Sequence, residues 1–401
     1  MKVLFEFYDM NEPILNVVSA LVLKPDKVVF VGGEKLKKES YRRPILNTFR
    51  LAKAENMQIE YVPVDIRDYK GLCAQLENLF SKYEKHDCMV DISGGSDICL
   101  LAVGQCCAKK ELTVISNRIG KNKIVWLMGA DAGKELKYDL DLSIAQSAAM
   151  SGGEFVRNGH ADPDKMDAKM LEMIPKVFEV YKNNRRKWPN MARYFQQLGN
   201  PKYWSDGETN IRAPKRITVN GSTAAVDAAI LSELADAGAV DDIYMDANTC
   251  SFRFLSSQMA DFLKGVGIWL ELYLYTTLKN SGMFDSLEVS TVVSWDNDKD
   301  KDDIINEIDL VAISGVGKIF VSCKTAVPDN SVLNEIKTLS DRFGGSFSTP
   351  VIATMCDLKK EAPAVFRRAM EMGVSVIDMD DLEEKALKKR FEMIIKRFDR
   401  C

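Results

Sequence analysis

The stretch Asn306-Glu307-Ile308-Asp309-Leu310, running on to Ile319-Phe320-Val321-Ser322-Cys323-Lys324, decides how this chain is read. An apolar run over 308–313, a turn Ser314-Gly315-Val316-Gly317 and a second apolar run over 319–323 predict a β-hairpin. Strand side chains alternate faces, so Glu307 and Asp309 share one face while Ile308 and Leu310 take the other. Pairing across the hairpin returns Lys324 toward Asp309. Unpaired charge at the mouth of an apolar hairpin is costly, so this meeting of acid and lysine is either a structural ion pair or a functional site.

Upstream, residues 261–279 (DFLKGVGIWLELYLYTTLK) read as one apolar helix with Glu271 in its middle. Alone, Glu271 fits the surface of an amphipathic helix as well as it fits a site. Downstream of Lys324 a helix is expected over 332–343, ending at Gly344-Gly345, then a strand over 350–355, a helix over 361–372, a strand over 374–378 and a helix over 381–398. The acidic loop Trp295-Asp296-Asn297-Asp298-Lys299-Asp300-Lys301-Asp302-Asp303 lacks the glycine and terminal glutamate of a calcium loop and reads as a solvated connector.

These residues resemble the PD-(D/E)xK nuclease superfamily. The resemblance implies that Asp309 binds a divalent metal and that Lys324 is the motif lysine. Gly267-Ile268-Trp269-Leu270-Glu271 resembles the leading helix of that superfamily, implying Glu271 as a second ligand and the Cys323 carbonyl as a third, with Mg²⁺ or Mn²⁺ as the ion. Ser322 departs from the pattern, standing where Asp or Glu is usual. A hydroxyl replaces a carboxylate poorly on a hard cation, so Glu271, Glu307 or Glu335 must supply the charge.

The chain has 401 residues, enough for two or three domains, with 46% hydrophobic and 28% charged residues. No apolar run is long enough to span a bilayer, and the strand-like start is no secretory signal, so no membrane partner is expected. Nine cysteines without a CxxC pair and only two histidines argue against zinc sites and disulfide frameworks, and place the protein in a reducing cytoplasm. A net charge of −4 argues against coating duplex nucleic acid but leaves room for local basic clusters such as Lys182-Asn183-Asn184-Arg185-Arg186-Lys187.

The N-terminal part alternates strands (2–8, 27–32, 58–63, 88–92, 113–117, 123–127) with helices (11–23, 43–55, 69–83, 96–109), predicting a parallel, doubly wound α/β sheet. Ligands bind such sheets at the strand ends. Two loops stand there: Asp9-Met10-Asn11-Glu12-Pro13, and Ser93-Gly94-Gly95-Ser96-Asp97 opening a helix whose free N–H groups suit a phosphate. The plain alternative is a tight turn capped by Ser96. The Asp91-Ile92-Ser93-Gly94-Gly95-Ser96 run in this setting resembles the CARF domain, a Rossmann-like sensor of CRISPR defence that dimerises and binds cyclic oligoadenylates. The resemblance implies a homodimer, contacts from Met10, Asn11 and Glu12 to adenine or ribose, from Ser93, Gly94, Gly95 and Ser96 to phosphate or ribose, and from Arg118 to the ligand. Asp97 departs from it, since several such sensors carry lysine there.

Helices are expected over 142–150 and over 162–197, the latter broken at Pro189, and a helix over 224–237 followed by strands 242–245 and 251–255 fits a winged-helix module. Its helix carries acids, so duplex reading by it is not expected. The domains expected are a CARF sensor over 1–150, a helical and winged-helix-like linker over 151–257, and a nuclease-like α/β domain over 258–401. Nearly the full length resembles the CARF–nuclease effectors. That implies a nuclease of single-stranded DNA and RNA activated by cyclic tetra-adenylate. The rival readings are a regulator with a decayed nuclease fold, favoured by Ser322, a sensor that degrades its own signal, and a repair nuclease that needs no activator.

Overall fold

The computed structural model describes residues 1–157, 165–205, 209–295 and 304–398. Most of the acidic connector, 296–303, and the start of the expected helix at 162 lie outside the described residues.

In the N-terminal part β1 (Lys2–Phe7), β2 (Lys27–Gly32), β3 (Gln58–Pro63), β4 (Asp87–Asp91), β5 (Thr113–Arg118), β6 (Lys123–Met128) and β7 (Glu135–Lys137) form one sheet in the order β3-β2-β1-β4-β5-β6-β7. Strands β3 to β5 are parallel, as expected, but β5-β6-β7 are antiparallel. The reason is chain length: between Arg118 and Lys123 there is only one 3₁₀ turn and a left-handed Asn122, too short for a crossover. Helices α1 (Val18–Leu23), α2 (Glu39–Leu51), α3 (Tyr69–Lys82) and α4 (Asp97–Lys110) cover the faces. Alternation sends Leu4, Val28 and Phe30 to the α1–α2 side, and Val3, Phe5 and Val29 to the α3–α4 side. Val316 and Phe347, from the far end of the chain, join the first of these cores.

After α5 (Ile144–Met150), opened by a Ser143–Gln146 capping box, come β8 (Glu154–Arg157), α6 (Ala168–Asn183) and α7 (Trp188–Gln197). The break between α6 and α7 falls at 184–187 rather than at Pro189. Proline sits in the first turn of α7, where its missing N–H costs nothing. Next are β9 (Asn210–Pro214), β10 (Arg216–Val219), β11 (Ser222–Ala225), α8 (Ala228–Asp236), β12 (Val240–Met245) and β13 (Thr249–Phe254). Strands β12-β13-β9 make a small antiparallel sheet beside α8, and β10–β11 is a separate hairpin.

The C-terminal part comprises α9 (Ser257–Leu263), α10 (Ile268–Lys279), β14 (Ser286–Ser294), β15 (Ile305–Ser314), β16 (Gly317–Lys324), α11 (Asn330–Gly344), β17 (Ser348–Thr354), α12 (Leu358–Glu361), α13 (Pro363–Glu371), β18 (Ser375–Ile377) and α14 (Glu384–Phe398). Its sheet runs β18-β17-β16-β15-β14-β8, so a strand from the expected linker forms its edge. One core joins α6, α7 and α8 to α10 and to the inner face of that sheet. Phe178 stacks on Tyr273 at 4.0 Å, and Trp188 meets Trp269 edge to face.

The single helix expected over 261–279 is two helices. Chain direction changes at Lys264-Gly265-Val266-Gly267, and the carbonyls freed there are taken by the linker helices. Gln196 Nε2 donates to the Lys264 carbonyl (2.7 Å), Trp188 Nε1 to that of Gly265 (3.1 Å) and Tyr181 Oη to that of Val266 (2.7 Å). Glu271 therefore stands in the first turn of α10, not in mid-helix. Trp188→Ala removes both a buried indole and one of these three bonds. It is expected to destabilise the 165–398 unit by about 3–5 kcal/mol, with linker and C-terminal helices melting in one step by circular dichroism; two separate transitions would contradict a shared core.

Candidate functional site

The hairpin β15–β16 is paired from Ser314↔Gly317 to Leu310↔Val321 and then opens. Beyond Leu310 the Asp309 side chain takes over: its Oδ2 accepts the Cys323 backbone N–H at 2.5 Å and the Ser322 hydroxyl at 3.2 Å. Lys324 Nζ lies 3.7 Å from the same oxygen. On its other side β16 runs parallel with β17, pairing Lys324 with Thr354, and this fixes the lysine backbone. On the far side of β15, Ser290 lies between the pairs Val289↔Leu310 and Thr291↔Ile308. It adopts a left-handed φ of 49°, unusual for a serine, and its Oγ donates to Glu271 Oε2 at 3.4 Å.

The structure thus brings together Glu271, Asp309, Ser322, Cys323 and Lys324. Burial pushes the Glu271 carboxyl up to about 8, with Asp309 and then Glu307 adding to the rise. Burial also raises Asp309, against the opposing pull of Lys324, the Cys323 N–H and Ser322. Glu335, whose Oε1 accepts from Asn306 Nδ2 (2.9 Å), raises Asp309 further from the outside. Two half-buried carboxylates held in one field, with one nearby ammonium, are short of positive charge. A divalent cation would supply it. Among the described residues no group of three or more His, Cys, Asp or Glu side chains is disposed to hold a metal. The donor set that fits is two carboxylates and the Cys323 peptide oxygen, which suits an ion such as Mg²⁺ that keeps several waters. Sequence reasoning missed Ser290 and Tyr181. Their hydrogen bonds depend on a strand distortion and a helix break, and neither leaves a motif.

At the ends of β1, β2 and β3 a cavity of about 470 Å³ is lined by Met10, Asn11, Gly95 and Ser96, together with Gly32, Gly33, Lys35 and Arg67. Gly95 has φ +105°, and a Cβ there would lie 2.9 Å from that of Phe7, so only glycine lets the loop sit this close to β1. Ser96 holds the position before α4 but its side chain makes no capping bond, which leaves the hydroxyl for the cavity. The other expected contacts are placed elsewhere. Ser93 is tied inward: its N–H (2.8 Å) and its hydroxyl both donate to Asp91 Oδ1, and its Oγ accepts the Asn117 N–H at 2.6 Å. Gly94 packs under the Phe7 carbonyl. Arg118 is exposed at the end of β5, outside the cavity lining. Glu12 turns away toward the C-terminal sheet. Gly32, the last residue of β2, and Gly33 after it were the overlooked signal in this region.

A seven-stranded sheet covered on both faces, with a glycine-lined cavity at its strand ends, fused to a splayed hairpin with two half-buried acids and a lysine, defines a ligand sensor joined to a nuclease-like module. Sequence comparison agrees: residues 11–145 match the Card1 CARF domain and residues 258–395 the Card1-like endonuclease domain. Together these cover more than half of the chain, which belongs to the Card1-like CARF–endonuclease effectors. No curated relative matches the sequence. Among solved structures, protein VC1899 from Vibrio cholerae has a TM-score of 0.74 at 14% identity, covering 99% of this chain and 98% of its own. Can2 from Sulfobacillus thermosulfidooxidans, in complex with cyclic tetra-adenylate, has a TM-score of 0.66 at 14% identity, covering 98% of each chain. At these identities the likeness is one of fold. No helix among the described residues is long and apolar enough to cross a membrane.

The raised Glu271 carboxyl has a consequence for stability. A carboxyl that holds its proton more tightly when folded makes the folded state bind more protons, so metal-free stability falls as pH rises from about 4.5 toward 8. Glu271→Gln is expected to flatten that slope in metal-free thermal melts, and Mn²⁺ to restore stability to the native chain at pH 8. An unchanged slope in the variant would show that Glu271 is not the group responsible.

Proposed function

We propose that this protein is a metal-dependent endonuclease that cuts single-stranded DNA and RNA when a cyclic oligoadenylate, cyclic tetra-adenylate, occupies its sensor cavity across a homodimer. The observation that carries the nuclease reading is the pair of half-buried acids, Glu271 and Asp309, held beside Lys324 where the strands part. Glu271, Asp309 and the Cys323 carbonyl would hold Mg²⁺ or Mn²⁺, and such an ion acidifies water and steadies charge on the phosphorane. The residues do the rest. Ser290 and the broken helix orient Glu271. Ser322, donating to Asp309, sets the direction of that carboxylate rather than replacing the missing acid. Lys324 faces the developing charge on the phosphate.

Support for the activator comes from the cavity at the strand ends, its glycine-lined wall and the free Ser96 hydroxyl, in a domain of the CARF family. The Can2 structure holds cyclic tetra-adenylate, and this chain shares its fold over nearly its whole length. Support for a nucleic-acid strand comes from the α6–α7 corner. Arg185 reaches from the linker to the Met355 carbonyl, one residue past the Thr354 that pairs with Lys324. Arg186 beside it is exposed, whereas Lys182 and Lys187 are paired with Glu179 and Asp227. Ser322 favours a second reading, a regulator that binds nucleic acid without cutting it.

Labelled single strands incubated with Mn²⁺ and cyclic tetra-adenylate separate the two. Cutting by the native chain and none by Asp309→Asn, with strand binding retained, is the expected result; binding without cutting by the native chain selects the regulator. Arg186→Ala is expected to weaken strand binding in EDTA a few-fold across sequences and lower the salt slope by about one. An unaltered slope removes the α6–α7 corner from the substrate path.

A further inference from the structure

Glu12 belongs to the loop that lines the sensor cavity, yet its side chain does not enter it. Its carboxylate reaches residues 334 positions along the chain: Oε1 and Oε2 accept the Ser346 backbone N–H at 3.0 and 3.2 Å, and Oε1 also accepts the Ser346 hydroxyl. Gly345 makes the approach possible. Its φ is +57°, and a Cβ there would lie 2.6 Å from Glu12 Oε2. Lys318, only 3% exposed, is the charged side chain inside the C-terminal sheet at this junction. Burial lowers its ammonium to about 8, and Glu12 is the opposing charge that raises it.

Both ends of this contact lead to a site. On the sensor side Asp9 fixes the loop: its Oδ1 accepts the N–H groups of Asn11 (2.8 Å) and Glu12 (3.0 Å), and its Oδ2 accepts that of Gly95 (3.3 Å). Asp9, Asn11 and Gly95 all line the cavity, so a ligand that moves any of them moves the backbone of Glu12. On the nuclease side Lys318 lies on β16, the strand that carries Ser322 and Lys324. Ser346 joins α11, which bears Glu335, to β17, which is paired along the whole of β16.

We propose that Glu12 couples the two sites: held to Ser346 at the turn into β17, it transmits occupancy of the sensor cavity through β17 to β16, the strand that carries the nuclease lysine. The inference rests on the reading of that cavity as the activator site, and it assigns Glu12 to transmission instead of ligand contact. Differential contact with two states is what lets a ligand shift an equilibrium, and the Glu12 carboxylate, shared between the cavity loop and the turn before β17, is the contact proposed to differ. Coupling between sites typically spans roughly 5- to 150-fold.

The test uses the full chain with Glu12→Ala and Glu12→Gln, reading hydrogen–deuterium exchange at 344–348 and 317–324, cyclic tetra-adenylate binding by calorimetry, and the ratio of activated to basal cutting. In Glu12→Ala, exchange at 344–348 should rise about tenfold without ligand, within the span of local opening events. The ligand should still bind but no longer alter exchange at 317–324, and the activated-to-basal ratio should fall at least about fivefold. Glu12→Gln, which keeps an acceptor but not the charge, should preserve more of the protection at 344–348 than of the activation ratio. Native exchange at 344–348 in Glu12→Ala overturns the proposal, as does a native ligand response at 317–324. If cyclic tetra-adenylate binds neither the native chain nor the variants, the activator reading fails, and the ligand-free exchange alone decides whether Glu12 holds the two parts together. If it binds but nothing is cut, the nuclease reading fails while the exchange response still decides transmission.

Discussion

The constraint on which the catalytic half depends is the substitution of a side chain for a strand. Where the hairpin would continue its ladder, the Asp309 carboxylate takes the Cys323 N–H, and the two strands part around it. A backbone donor in a buried setting must find an acceptor, so the carboxylate is held by an obligation of the backbone and not only by attraction to Lys324. Parting the strands opens space beside a charge. Glu271 enters that space from the start of α10, where the helix N-terminus favours an anion even as burial opposes it. Two acids facing one opening cannot both ionise cheaply without a cation, and this gives the geometry its chemical direction.

The second dependence is on the linker. Residues 151–257 had the look of a bridge between two independent modules, yet their helices supply the bonds that hold the α9–α10 corner and so the position of Glu271. Tyr181 feels Thr325, Arg185 and Glu271 at once, and this places the end of α6 at the rim of the nuclease cleft. Strand β8 adds the sheet edge. A piece of chain that looks like a connector by composition is here part of the wall of the site.

Much of this was legible in the residues themselves. The hairpin, its acid and its lysine followed from alternation and spacing, and the strand–helix order of the N-terminal part set its sheet. What was hidden has physical causes. In α10 the run from Leu272 to Leu278 is buried on every side and correspondingly apolar, so the helical period is blurred and the break at Gly265 and Gly267 was not marked by it. The antiparallel end of the first sheet turned on the length of a four-residue connection, a weaker signal than the alternation before it. Ser93 and Glu12 are polar residues in ligand-loop positions, and sequence cannot tell a donor aimed at a ligand from one committed to the protein. Only the partners, Asp91 in one case and Ser346 in the other, decide it.

The edge position of β8 also bears on how such effectors diversify. A sheet whose outer strand belongs to the bridge cannot be exchanged as a cassette beginning at residue 258, since the recipient would inherit an unpaired strand edge and an uncovered aromatic seam. The natural joint for recombination lies earlier, near Ser151-Gly152-Gly153. Even there a Cβ on Gly153 would stand 2.6 Å from both the Phe343 ring and the Ser294 carbonyl. New sensor–effector pairings in this lineage must therefore carry the bridge with the C-terminal sheet and keep glycine at the seam.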